Sequence, residues 1–356
     1  MSIRTATCVP RALVWATDLD VLPLDHVVER RDDHLIVRSP SNPTHHWGNL
    51  LLFDDPPAHG DGARWERLFE VELGRDPRVG HRTFGWDRTD GALGCAREEF
   101  VARGYELEET VGLIATPELV ARHRRENREV RVKALEPTPG LDERLWDQVV
   151  ELQVAGRDQR FDEAAHREFS RRRLDDLRAL FETGHGAWYV ALGAGAGEVV
   201  ASCGVVVTGA RGRFQSVDTA SAYRRRGICS RLVVEAASHA ARRHGVRQLV
   251  IAADPGYHAL GLYESLGFQI RERVCGVNRR PPRSRATGQR IAAVQRRLPR
   301  APPRSRGSSP IASPESAGIS STAGLTARGA NSSLDPESAG VSGETLIPCL
   351  SRRALR

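Results

Sequence analysis

Residues 223 to 233 read YRRRGICSRLV, three arginines running into a glycine where an amphipathic helix is about to begin. Guanidinium groups offer a fixed fork of charged donors that suits phosphate oxygens. A glycine at the same point removes the Cβ that would keep an anion from the backbone, and it can take conformations closed to other residues. The first turn of a helix leaves its amide N–H groups unpaired, and the helix dipole adds roughly half a positive charge there. Together these features suit a diphosphate. A charged helix cap is the simpler reading of the same residues; a solvated charge cluster would not need the glycine.

The elements around the loop decide whether it can act this way. FQSVDTA, ahead of it, is strand-like, and SRLVVEAASHAARRHG behind it is an amphipathic helix expected to start at about Ser230 and end at Gly245. Over 130 to 278 the order reads β, α, α, β, β, β, α, β, α, β. VRVKAL is a strand and LDERLWDQVVELQVAG a helix with Leu141, Leu145, Val149 and Leu152 on one face. An arginine-rich helix closes at Gly184, and AWYVALG, EVVASCGVVVTG and GRFQSVDTA form an antiparallel meander. RQLVIAAD, GLYESLG and FQIRERVCGV complete an α/β sheet with helices packed on it.

Residues 1 to 125 are harder to read, yet their end echoes the end of the next segment. EEFVARGYELEETVGLI can be laid on GLYESLGFQIRERVCGV, matching Gly104 to Gly267, Tyr105 to Phe268, Glu109 to Glu272 and Val111 to Val274. Each is a short helix, a glycine stop and a strand. Ahead of the first copy, ARWERLFEVELG has helical spacing and GHRTFGWD reads as a strand. The pattern predicts a duplicated architecture; a chance recurrence of helix, glycine and strand is the alternative.

From residue 279 to 356 the chain is dominated by Pro, Ser, Gly, Ala and Arg without sustained period, and it is expected to be disordered. It holds fourteen arginines against four acidic residues, so it carries +10 of the net charge of +7 and leaves −3 on the rest. The folded part is therefore not expected to be a nucleic-acid platform. Six cysteines, Cys8, Cys95, Cys203, Cys229, Cys275 and Cys349, stand at no metal-ligand or redox spacing, so reduced thiols in a cytoplasmic protein and no metal are expected. Neither a signal-like apolar run near the N-terminus nor a membrane span is expected.

YRRRGIC followed by an amphipathic helix resembles the acetyl-CoA pyrophosphate loop of the GNAT N-acetyltransferase superfamily, Arg/Gln-x-x-Gly-x-Gly/Ala. Arg224 then takes the first position and Gly227 the obligatory glycine, and Cys229 stands where the family usually has Gly or Ala. LYESLGF at 262 to 268 resembles the family's closing helix and strand, at the expected distance downstream. The resemblance implies a GNAT-like mixed sheet with helices on both faces. It assigns 130–278 to an acetyltransferase domain and 1–125 to a degenerate copy, with 279–356 as a tail. It also implies that backbone groups of Val217, Asp218 and Thr219 bind the pantetheine arm and acetyl carbonyl. Arg224, Arg225, Arg226, Gly227, Ile228, Cys229 and Ser230 hold the pyrophosphate, and Tyr263 gives a proton to the departing thiolate. Tyr263 as an aromatic packing residue is the plainer reading.

Direct transfer from acetyl-CoA needs a neutral amine. Neutralising an alkylammonium of pKa about 10.4 at pH 7 costs roughly 4 to 5 kcal/mol, against about 1 for an α-amine. A basic acceptor therefore wants a general base. Where many relatives carry a glutamate this chain has Ile251, and Gly256 lies near the place of a frequent Asn. Asp218, Asp254, His258 and Glu264 are candidates by position. Phe100 occupies the place of Tyr263 in the first copy, where no Arg-x-x-Gly-x-Gly loop precedes it. His45, His46 and Trp47 are candidate acceptor contacts, with a structural role as the plainer reading; adjacent histidines point to opposite faces of a strand, so metal binding by both is not expected. The sequence predicts an acetyl-CoA-dependent N-acetyltransferase acting on a primary amine of a small molecule or peptide. The alternative is a non-catalytic acyl-CoA-binding sensor or scaffold.

Overall fold

The alternation of β-rich runs and amphipathic stretches becomes one sheet flanked by helices in a computed structural model that describes residues 9–123, 127–157, 162–195, 197–256 and 259–280. The first part of the chain gives α1 (Leu13–Asp20), β1 (Val27–Arg30), β2 (His34–Arg38), β3 (Leu50–Phe53), α2 (Asp61–Glu72), β4 (Arg82–Trp86), α3 (Ala96–Glu99), β5 (Glu106–Ala115) and α4 (Pro117–Arg122). The second gives β6 (Val130–Ala134), α5 (Glu143–Ala155), α6 (Glu163–Glu182), β7 (Gly186–Gly193), β8 (Val199–Thr208) and β9 (Arg211–Thr219). It closes with α7 (Ile228–His244), β10 (Gln248–Ala253), α8 (Ala259–Ser265) and β11 (Gln269–Arg279). The expectation for the tail falls, beyond Arg280, outside the described residues, as do Cys8, Cys349 and His258.

Among the described residues all eleven strands belong to one sheet, in the order β1-β2-β3-β4-β11-β5-β10-β9-β8-β7-β6. The two parts of the chain exchange their last strands. β5 leaves its own part to pair antiparallel with β10, and β11 returns to pair antiparallel with β4. β5 and β11 also pair with each other, Thr110 opposite Val274 and Val111 opposite Arg273. The sequence echo, which matches Val111 to Val274 and so Thr110 to Arg273, turns each of these pairs into the other, so echo and register describe one pseudo-dyad. The topology on each side of it is alike: β3 pairs parallel with β4 around α2, and β9 pairs parallel with β10 around α7.

The local hydrogen bonds repeat as well. The Tyr105 amide donates to the Phe100 carbonyl and the Phe268 amide to the Tyr263 carbonyl, each at 3.1 Å. Gly104 and Gly267 both sit in the left-handed region, at φ 82° and 89°, where the chain leaves its helix for a strand.

Each face of the sheet buries its own apolar cluster. One gathers Leu232, Val233, Ala236 and Ala240 of α7 with Val120 of α4 and Tyr263 of α8. The opposite one gathers Val14 and Trp15 of α1 with Trp146 and Val149 of α5 and Leu177 of α6. With both faces covered, β8 is buried over nine of its ten residues, which is why VVASCGVVV reads as a continuous apolar run instead of alternating. The α7 helix is held in place from its ends. Arg242, Arg243 and His244 in its last turn complement the dipole, and Gly245 at φ 69° closes it with its amide on the Ala241 carbonyl. It begins at Ile228, two residues before the expected start, because Gly227 is itself the cap.

Candidate active site

β9 and β10 run side by side only at their beginnings. The parallel pairs are Gln248 with Arg211, Leu249 with Gly212 and Val250 with Arg213. From Ile251 onward β10 pairs with β5 alone, while β9 continues to Thr219 on β8. The strands therefore part after Arg213, and the edge of β9 that faces the gap, from Phe214 to Thr219, has no ladder partner on that side. A bulge sharpens the departure: Ser216 and Val217 together oppose Cys203, and Ser216 has φ 45°. Val217, Asp218 and Thr219 lie on this stretch, each at most 5% exposed.

The loop that follows leads from the gap to the N-terminus of α7. Gly227 caps the helix at φ 77° with no side-chain cap bond, and a Cβ there would meet nothing within 4 Å. The first intrahelical donor is the Arg231 amide, on the Gly227 carbonyl at 3.0 Å, so the amides of Ile228, Cys229 and Ser230 precede the ladder. Arg225 reaches φ 61°, a left-handed conformation unusual for a side-chain-bearing residue, and both it and Arg226 are exposed.

Neighbours shape the loop. Arg224 donates from Nε to the Thr219 carbonyl at 3.2 Å. The Arg226 guanidinium stacks over Tyr223, 5.2 Å from the ring centroid, and the Asn127 amide donates to the Arg226 carbonyl at 2.7 Å. Tyr223 donates to Glu198 at 2.8 Å. The space around Gly227, the uncapped helix start and the two exposed arginines fit a diphosphate. Ser230 is buried and Ile228 belongs to the core, so these two can offer main-chain groups only. Burial pushes the Cys229 thiol up to about 12 and leaves it neutral, a small filler at the family's Gly/Ala position.

Tyr263 is 5% exposed and packs edge-on to Phe268 at 6.2 Å, inside the cluster that also holds Val217, Ile228 and Ile251. The other base candidates are separated by their surroundings. Glu264 lies on the exposed side of α8, and Ile251 is buried opposite Leu113. The Asp254 carboxylate accepts from the Gly256 amide at 2.8 Å, a turn contact. Asp218 is different: burial pushes its carboxyl up to about 8, against the opposing pull of Arg224.

The corresponding place in the first part of the chain is closed. Gly60 caps α2 at φ 90°, as Gly227 caps α7, but the Gly60 and Gly62 amides donate to the Glu99 carboxylate at 3.0 and 3.2 Å. A carboxylate of the chain itself occupies the anion position, and those amides hold it below the ordinary glutamate range. His46 does not lie on a strand, as the sequence suggested, but opens a single 3₁₀ turn, His46–Gly48. Its ring stacks on His81 at 4.1 Å and lies 2.9 Å from the Asn278 amide nitrogen. With His45 and Trp47 also buried, the three are packing residues.

Sequence reading missed Glu99, Asn127 and Ser202. The last had a signal: it is a polar residue inside the apolar run of β8.

Residues 184–270 match the family model of the acetyltransferase (GNAT) domain. That stretch, from the end of α6 to the start of β11, therefore reads as a GNAT acetyltransferase domain. Among solved structures, a functionally unknown conserved protein from Staphylococcus epidermidis is 13% identical, with 72% of this chain and 95% of that one covered at a TM-score of 0.56. A GCN5-related N-acetyltransferase from Kribbella flavida is 12% identical, covering 75% and 94% at a TM-score of 0.50. These likenesses establish the fold. No curated protein matches the sequence. Among the described residues no helix is long and apolar enough to cross a membrane, and no group of three or more His, Cys, Asp or Glu could hold a metal ion.

Proposed function

We propose that the protein is an acetyl-CoA-dependent N-acetyltransferase that moves the acetyl group to a primary amine of a small molecule or peptide by direct attack. The carrying observation is the parting of β9 from β10 after Arg213, which opens an unpaired main-chain edge leading straight to the uncapped, glycine-started α7. Main-chain groups of Val217, Asp218 and Thr219 receive the pantetheine arm and the thioester carbonyl. Arg224 to Ser230 receive the pyrophosphate. The nitrogen lone pair forms the new C–N bond, an amide N–H steadies the oxyanion, and the C–S pair leaves on sulfur, to which Tyr263 donates.

We further assign 1–125 to a degenerate copy of the 130–278 domain. Glu99 sealing the α2 N-terminus supports its loss of cofactor binding. The test is incubation of the full chain with acetyl-CoA and a panel of amines, following thiol release, beside calorimetry of acetyl-CoA binding. Amine-dependent thiol release is expected. Binding without turnover on any amine would instead favour a sensor, and absence of binding would remove the cofactor assignment.

A further inference from the structure

Ser202 and Asp218 stand directly opposite each other on the antiparallel β8 and β9. Cross-strand partners project from the same face with Cβ atoms about 4.5–5.5 Å apart. Their face is the one on which Gln215, two pairs along, meets Arg173 of α6 at 3.5 Å. Ser202 is fully buried and Asp218 only 5% exposed. The Ser202 hydroxyl has no hydrogen-bond partner, and among the described residues the Asp218 carboxyl takes neither a hydrogen bond nor an ion pair. A buried hydroxyl without a partner is rare, since an unmet buried polar group costs about as much as a lost hydrogen bond, and the residue across the ladder from it adds a buried carboxyl. They lie where β9 has left β10, beside the main-chain edge that the proposed function gives to the thioester.

Resting on that reading, we propose that Ser202 and Asp218 form the seat of the acceptor ammonium, with Asp218 as the base that takes its proton and Ser202 as the hydroxyl that orients it. A primary ammonium brings three N–H donors in a compact head, which suits two adjacent oxygens; a methyl on nitrogen removes one donor and adds bulk. The ammonium gives one proton to the Asp218 carboxylate, and the freed lone pair forms the C–N bond as the C–S bond breaks. The second proton leaving nitrogen balances the one taken by the thiolate, so one proton is released to solvent per turnover. The groups that set the charge balance around Asp218 are Arg224 in the loop, Cys203 on β8 and Cys229 on α7, with Arg173 of α6 further along its face. A carboxyl lifted by burial lies much nearer an alkylammonium, pKa about 10.4, than one at the reference value of about 3.9, so the transfer is less uphill.

The test uses the full chain, acetyl-CoA, and four probes: hydroxylamine, glycinamide, butylamine and N-methylbutylamine. Asp218→Asn is expected to lower kcat/KM for butylamine by about a hundredfold or more, the usual contribution of a general base. Hydroxylamine, already neutral, should lose far less than butylamine. Wild-type kcat/KM for butylamine should level off above about pH 8, whereas Asp218→Asn keeps climbing toward the amine's own pKa, about 10.4. Ser202→Ala should raise the KM for butylamine and narrow the preference over N-methylbutylamine. An equal loss on all four amines, or an Asp218→Asn profile that levels off where the wild type does, overturns the proposal. If the Asn variant does not fold, the wild-type profile still decides, since a rise continuing past pH 9 excludes the base. Turnover that Asp218→Asn leaves intact defeats this proposal alone. Wild-type binding of acetyl-CoA without turnover on any probe defeats the transferase reading as well.

Discussion

Arg213 donates from Nη2 to Asp18 Oδ1 at 2.9 Å, and the two side chains are only 3% and 5% exposed. The pair fastens α1, near the start of the chain, to β9 at the point where that strand leaves β10. A second bond beside it, Arg211 to Asp20 at 2.6 Å, repeats the link, and Arg173 on α6 donates to the Val21 carbonyl at 2.6 Å. The first part of the chain thus braces the strand that opens the site. Removing one member of a buried pair leaves the other charge uncompensated, which costs about 3–5 kcal/mol. Asp18→Ala is expected to lose that much in urea unfolding, and a loss under about 1 kcal/mol would mean that Arg213 finds another partner.

Gly227 is open around its absent Cβ but held at φ 77°. Gly227→Ala should therefore cost about 1–2 kcal/mol in backbone strain without a clash. Gly227→Glu adds a negative charge beside the phosphate position and should weaken acetyl-CoA by about tenfold or more, 1.4 kcal/mol, in calorimetry. Unchanged affinity would move the pyrophosphate away from this loop.

Tyr263→Phe keeps the ring that packs on Phe268, and Phe100 already fills the matching place in the first part of the chain with the same hydrogen-bonded frame. The fold should therefore persist, with kcat lowered by about tenfold to a hundredfold and little change in acetyl-CoA affinity. A normal rate in stopped assays of thiol release would return Tyr263 to packing alone.

Burial holds His81 neutral, with its pKa lowered to about 4, although its ring donates to the Asn49 carbonyl at 3.0 Å. The unfolded chain binds this proton near pH 6.5 and the folded chain only near 4. The contribution of His81 is thus complete above 6.5 and lost progressively as the pH falls toward 4, by up to about 3 kcal/mol. Urea midpoints measured across that window should show the decline, and His81→Gln should flatten it.

Much of the site could be read from the sequence because its signals are local. Strand, Arg/Gly loop and helix occupy fewer than forty consecutive residues, and the helix, glycine, strand echo lies within two short windows whose hydrogen bonds close over five residues. The turn at His46–Gly48 was not legible for a related reason: nothing in SNPTHHWGN says that the chain turns before the strand begins at Leu50.

The chain by itself determined that a glycine-started turn with unpaired amides would precede α7, that β8 would be a strand of a meander, and that two similar helix, glycine and strand closings would form. These follow from φ preferences, unpaired amides and apolar runs, which act between near neighbours. Tertiary structure alone decided that the closing strands change places, that Glu99 fills the turn before α2, that Asp18 meets Arg213, and that Ser202 faces Asp218. Register and burial create those partnerships between distant residues, and a strand's own residues carry no mark of which edge it will join.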